Sequence, residues 1–257
     1  MKFKNQFLDK LAGSHTKIIV FDCEFWHVYG SKGFIGLPDV PNEFFMPREV
    51  GGFFLQKLSD GWSYKKQFFV TLNPPKGKEV SYISSAFSNV TNKTAKLMDE
   101  YQSILGMEWR SAYLSTVSEE LRDLLLEEQE LYLNDANIKD AHKPSSWIKT
   151  FVEELSESLV IVKGTYDLVA LENACRFHDF EYKKPKKIID IVSWNEESRK
   201  ICKTAKLEGT FECLKDKLDP ETENMLDFLP LGRAHDPSSD AAMTLVIAIY
   251  IISLTSR

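Results

Sequence analysis

KIIVFDCEFW, residues 17–26, passes from a run of branched apolar side chains to two acids separated by one position. Ile18, Ile19 and Val20 suit a pleated, buried surface and predict a strand. Side chains at i and i+2 of a strand share a face, so Asp22 and Glu24 project together. Adjacent carboxylates repel one another unless a cation lies between them. A strand running out into solvent would tolerate them equally well. The fragment alone leaves both readings open, and the rest of the chain has to choose.

Outward from this strand, residues 30–47 (GSKGFIGLPDVPNEFFMP) carry Gly and Pro too irregularly for a regular element and read as a loop. REVGGFFLQKL (48–58) and SYKKQFFVTLNPP (63–75), joined across Ser59–Trp62, make a hairpin. Residues 92–133 change to apolar positions at helical spacing with acids between them. SSWIKTFVEEL (145–155) is a helix with Ser at its start, followed by a short buried strand, SLVIVKG, and an amphipathic helix, YDLVALENACRFHDF. KKIIDIVSW (186–194) is a further strand, ICKTAKL and FECLKDKL are short helices, and an apolar helix follows Pro237.

Strands first, then strand–helix alternation, give an α/β domain with a mixed sheet. About five strands are expected, the first three an antiparallel meander, with helices on the flanks. Residues 84–144 form an enlarged helical segment between the third and fourth strands. No repeat or low-complexity linker divides the chain, so residues 1–257 are read as one domain.

Composition excludes some classes. A hydrophobic share of 43% with 27% charged residues is that of an ordinary globular protein with a sizeable core. The formal charge of −6 argues against broad adhesion to nucleic acid, yet allows a local basic channel beside an acidic site. AAMTLVIAIYIISL (241–254) is the one membrane candidate, but fourteen residues fall short of the roughly 20 a span needs. It reads as a buried core helix of a soluble protein. Cys23, Cys175, Cys202 and Cys213 show no tight pairing, which points to a reducing compartment, cytoplasmic or nuclear.

Two further acidic positions belong with the first pair. Asp167 lies one turn into the helix after LVIVKG. If that strand runs parallel beside the first, Asp167 reaches the same sheet edge as Asp22 and Glu24, where clefts of open α/β sheets form. The helix dipole would favour an acid there in any case. In GRAHDPSSDAAMTLVIAIYI, Asp236 caps a helix and Pro237 suits its first turn. Asp240 then heads a helix apolar nearly all round, where an acid must be paired, solvated or bound to metal. His235, just before the cap, points from the loop toward the same place, or serves only as a hydrogen-bonding neighbour of the cap.

These residues resemble the motifs of the DEDDh-type 3′→5′ exonucleases of the RNase H-like superfamily. Asp22-Cys23-Glu24 matches D-x-E after a buried strand, Val162–Asp167 matches the second motif, and His235 with Asp240-Ala241 matches H-x(4)-D-A. The order of motifs and the final helix agree as well, over most of residues 17–254. The resemblance implies an RNase H-like mixed sheet. It also implies an enzyme that hydrolyses single-stranded RNA or DNA from the 3′ end to nucleoside 5′-monophosphates. Two divalent cations, Mg²⁺ or Mn²⁺, would be held by Asp22, Glu24, Asp167 and Asp240, with His235 as general base. Phe25 and Trp26 would stack on the terminal base, or be core aromatics. The sequence departs from the family in its long first loop, its helical segment, and Lys163-Gly164 where His-Asn is common. A module that kept the fold and lost catalysis is the competing reading; it predicts a broken acid set, and here each acid is present.

Two other features carry less. EYKKPKK (181–187) suits a phosphate backbone or a solvated connection. Cys175 and His178 with Cys202 and Cys213 have zinc-ligand types but poor spacing, so scattered core cysteines are the expectation.

Overall fold

The computed structural model describes residues 2–29, 35, 43–72, 80–81, 144–232 and 236–255. The expected helical segment 84–144 therefore lies outside the described residues, except for Pro144. One sheet organises the described chain. Its strands are β1 (Lys2–Phe3), β2 (Lys17–Tyr29), β3 (Glu43–Leu58), β4 (Gly61–Thr71), β5 (Val80–Ser81), β6 (Leu159–Val162) and β7 (Lys187–Asp190). The order is β1-β4-β3-β2-β6-β7, with β5 also on β2. β2, β3 and β4 form the antiparallel meander, while β6 and β7 run parallel to β2. This is the mixed sheet with an antiparallel meander expected from the sequence, enlarged by the two-residue strands β1 and β5.

Helices cover both faces. α2 (Pro144–Ser156) and α3 (Tyr166–Phe177) lie on one. α1 (Gln6–Ala12), α4 (Asn195–Cys202), α5 (Leu207–Leu214), α6 (Pro220–Leu226) and α7 (Pro237–Leu254) lie on the other. Strand alternation sorts the core accordingly: Ile18 and Val20 of β2, with Leu159 and Ile161 of β6, join the α7 layer. Ile19 and Phe21, with Val160 and Val162, join the α2–α3 layer. β6 is buried on both faces, which is why it reads as an unbroken apolar run.

The apolar helix α7 is the centre of its layer. Fourteen of its eighteen residues are buried against the protein, as a core helix requires. Asp236 caps it through its side chain, accepting from the N–H groups of Ser238 (2.9 Å) and Ser239 (3.1 Å).

Some boundaries differ from expectation. β3 begins at Glu43 rather than Arg48, because Phe44, Phe45 and Met46 are buried and Pro47 is accommodated beside a bulge. The run 186–194 is strand only to Asp190. There the Asp190 carboxylate accepts from Val192 N–H at 2.9 Å and turns Ile191–Trp194 into a 3₁₀ helix. Residues 203–206 form a turn rather than helix. Cys202 and Cys213 are disulfide-bonded with Cα atoms 5.7 Å apart, so the expectation of scattered, unpaired cysteines is corrected for these two. Cys23 and Cys175 are free and buried. Burial pushes the Cys175 thiol up to about 12, and no zinc set forms among the described residues.

Candidate active site

Asp22 and Glu24 continue the alternation of Ile18 and Val20, so they face the layer that holds α7. Parallel pairing to β6 ends at Val20–Ile161, whereas antiparallel pairing to β3 continues through Glu24–Glu49. Beyond Val20 the strand has thus lost one neighbour, and the acids stand where the sheet opens. Asp22 is half-buried there and Glu24 buried, so neither stands on a strand end running freely into solvent.

α7 reaches this edge through a glycine. Gly51 pairs with Asp22 across the strands, and a Cβ on it would collide with the Ser238 N–H and the Pro237 carbonyl carbon. Only a bare backbone lets the helix start this close to β3. Asp240, one turn in, is thereby brought into electrostatic range of Asp22. From the other face, Asp167 in the first turn of α3 is buried, and its Oδ1 accepts from Cys23 N–H at 3.0 Å. That bond ties the second acidic motif to the residue between the two acids of the first.

The acids act on one another. Asp22 is only partly accessible, and its carboxyl is held well above the usual range. Burial is the largest cause, followed by Asp167, Asp240 and Glu24, with Lys163 opposing them. Asp167 is raised as well, mainly by burial, against the pull of the Cys23 N–H. Four carboxylates therefore share one field.

Two cations temper it, and sequence reasoning did not assign either a role. Arg48 is the extra residue of the bulge that shifts the β2–β3 register between Glu24 and Phe25. The bulge re-aims its side chain inward. Its guanidinium lies 3.8 Å from Glu24 and 3.3 Å from Glu49, a cross-strand pair of like charges that would otherwise repel. The visible signal was an arginine inside an apolar strand run. Lys163 follows β6 and keeps the parity of Ile161, which turns it to the α7 face beside Asp22 and Asp240. Its Nζ donates to Ala205 O at 2.8 Å.

The aromatic expectations divide. Trp26 is fully buried, and its indole N–H donates to Leu72 O at 3.1 Å, so it is a core residue and offers no stacking face. Phe25 is partly buried, with its ring 5.1 Å from Phe45. The exposed aromatic at the edge is Tyr166, which immediately precedes Asp167, is 51% accessible and packs edge-on against Phe45 at 5.4 Å. His235 lies outside the described residues.

An all-oxygen set of mutually repelling carboxylates is the donor chemistry of a hard divalent cation. Among the described residues, however, no three His, Cys, Asp or Glu side chains are gathered into a ready-made cage. Glu24 is turned toward Arg48 and Asp167 toward the Cys23 N–H.

No family model matches the chain, and no curated protein matches it. Among solved structures it is similar to the nuclease domain of 3′hExo, a DEDDh family member, bound to rAMP. Identity there is 14% and the TM-score 0.45, over 94% of each chain. A 3′-exonuclease solved for 3′-end-specific recognition of histone mRNA stem-loop gives 13% identity and a TM-score of 0.45, over 93% of this chain and 64% of that one. A full-length 3′-exonuclease gives 15% and 0.44, over 94% and 62%. The chain thus spans under two thirds of the latter two.

Proposed function

We propose that the chain is a divergent DEDDh-type, metal-dependent 3′→5′ exonuclease acting on single-stranded nucleic acid. The observation that carries this reading is the convergence of Asp22, Glu24, Asp167 and Asp240 from three separate elements onto one open sheet edge, with a shared field that raises Asp22. A solvated strand end has no use for such a set. Each acid lies on an element whose neighbours, Gly51 and Cys23 among them, bring it there.

Asp22, Glu24, Asp167 and Asp240 would hold two divalent cations, Mg²⁺ or Mn²⁺, which when bound supply charge stabilisation to the phosphodiester oxygens. His235, next to the Asp236 cap, is assigned the proton of the attacking water, since an imidazole titrates near working pH. Water adds at phosphorus, the bond to the 3′ oxygen of the preceding nucleotide breaks, and a nucleoside 5′-monophosphate leaves. Tyr166, backed by Phe45, on which Phe25 packs in turn, would stack on the terminal base in the role expected of Phe25 and Trp26.

The test uses 5′-labelled single-stranded RNA and DNA of one sequence with Mg²⁺ or Mn²⁺. A ladder of shortening products, absent in EDTA and in Asp22→Ala, supports the assignment and reports the sugar preference. Intact oligonucleotide in every lane, with binding retained, would replace it with a catalytically idle nucleic-acid-binding module.

A further inference from the structure

Beside the acidic edge lies a pocket of the opposite sign. Its volume is about 540 Å³, and Lys163, Asn195, Arg199, Lys203, Thr204 and Lys206 line it. Four of these are cations and none is an acid, in a chain whose net charge is −6. The concentration of charge follows from local structure. Asn195, Arg199 and Lys203 fall at successive i, i+4 positions along α4 and its C-cap, so they share one helix face. Lys203 takes a left-handed conformation (φ 58°) and donates its N–H to Arg199 O at 2.9 Å, ending the helix. Thr204 then accepts from Lys206 N–H at 3.1 Å through its hydroxyl, and the Cys202–Cys213 disulfide closes the base of the turn. The turn is pinned from three sides before any ligand arrives.

Lys163 is the wall shared by pocket and acidic edge. Its ammonium is bonded to Ala205 O, inside the turn, and its charge acts on Asp22 and Asp240. On α4, Glu196 pairs with Lys200 at 3.0 Å. Among the described residues, Arg199, Lys203 and Lys206 make no ion pair within 4 Å.

We propose that this pocket binds a backbone phosphate of the substrate strand, upstream of the bond cut at the acidic edge. The inference rests on the exonuclease reading, which fixes the polarity: a strand whose 3′ end enters the acids can leave only toward its 5′ side. Arg199 supplies a planar fork for phosphate oxygens, and the lysines supply point charges. The pocket thus acts on affinity and positioning rather than on bond cleavage.

The test reads binding and turnover separately. Anisotropy of a labelled single strand of roughly 12 nucleotides is measured over a salt series in an Asp22→Asn background, which blocks turnover. Replacing Arg199, Lys203 and Lys206 together by Gln should weaken binding by about 10-fold or more. It should also flatten the slope of log K against log salt by roughly 0.7 for each phosphate released. Lys4, Lys10 and Lys149 changed together to Gln remove equal charge elsewhere and should leave both quantities near the parent. In the Asp22-intact protein, the pocket variant should raise KM for the long strand while kcat/KM on a dinucleotide, too short to span both sites, stays within about 2-fold. Parental affinity and slope in the pocket variant, or a loss matched by the control, would overturn the proposal. Turnover missing in wild type with the binding loss intact would contradict the exonuclease reading and leave the pocket standing.

Discussion

The two halves of β2 have the same backbone and opposite duties. From Ile18 to Val20 the strand is paired on both sides, by β3 and β6, and every side chain is buried and apolar. From Asp22 to Glu24 it is paired to β3, β6 has ended, and the side chains on the α7 face are acids. The first half contributes stability, roughly 1.5–3 kcal/mol for each fully buried Ile or Val side chain. The second half costs stability, because like charges are held together away from water. One strand thus supplies both the anchor and the load, and the anchor fixes where the load sits.

Substitutions can break this comparison. The largest effect is expected at Asp22: Ala there should lower hydrolysis by on the order of 10³-fold or more, the scale of losing one member of a catalytic unit, as read by single-turnover cleavage. Ile18→Ala, in the other half, should instead cost about 2–5 kcal/mol of stability in denaturant melts. Its residual folded fraction should cleave normally. Arg48→Met leaves Glu24 and Glu49 facing each other without their shared guanidinium, at about 3–5 kcal/mol, and should be partly rescued by Glu49→Gln. Gly51→Ala forces α7 off the sheet, costing about 1–3 kcal/mol by overpacking, and should lower activity further than that loss alone explains, since Asp240 moves with the helix.

The smallest effect is the pH dependence of the acid edge itself. Asp22 and Asp167 have folded-state values raised above the unfolded value near 3.8. The folded state therefore binds more protons in the window between the two values, and stability falls as pH rises through it. In EDTA the melting temperature contributed by these groups should decline from about pH 4 upward. Asp22→Asn should flatten that decline.

Much of this edge was legible in the sequence because it rests on local rules. Strand alternation paired Asp22 with Glu24, the Asp236-Pro237 cap fixed the start of α7, and the unbroken apolar run of β6 placed Asp167 one turn beyond it. What escaped depended on register or distance. Arg48 was visible as a charge in the β3 run, but its role comes from a bulge, which shifts side chains between faces. Lys163 faces the acids only because β6 lies parallel to β2. Trp26 beside two acids looked like a substrate aromatic, but its N–H finds Leu72, 46 residues on, and its ring fills the core. Cys202 and Cys213 meet across the α4–α5 turn, whose existence the composition did not announce. The short elements β1, α1 and α6 were likewise unread, being too brief for periodicity to show.

The most direct test is a thermal melt of wild type and Asp22→Asn at neutral pH, each with EDTA and with Mn²⁺. If the open half of β2 is a cation site assembled against charge repulsion, the Asn variant melts higher than wild type in EDTA. Mn²⁺ then raises wild type above it. A wild type indifferent to Mn²⁺, melting no lower than Asp22→Asn in EDTA, would contradict the account.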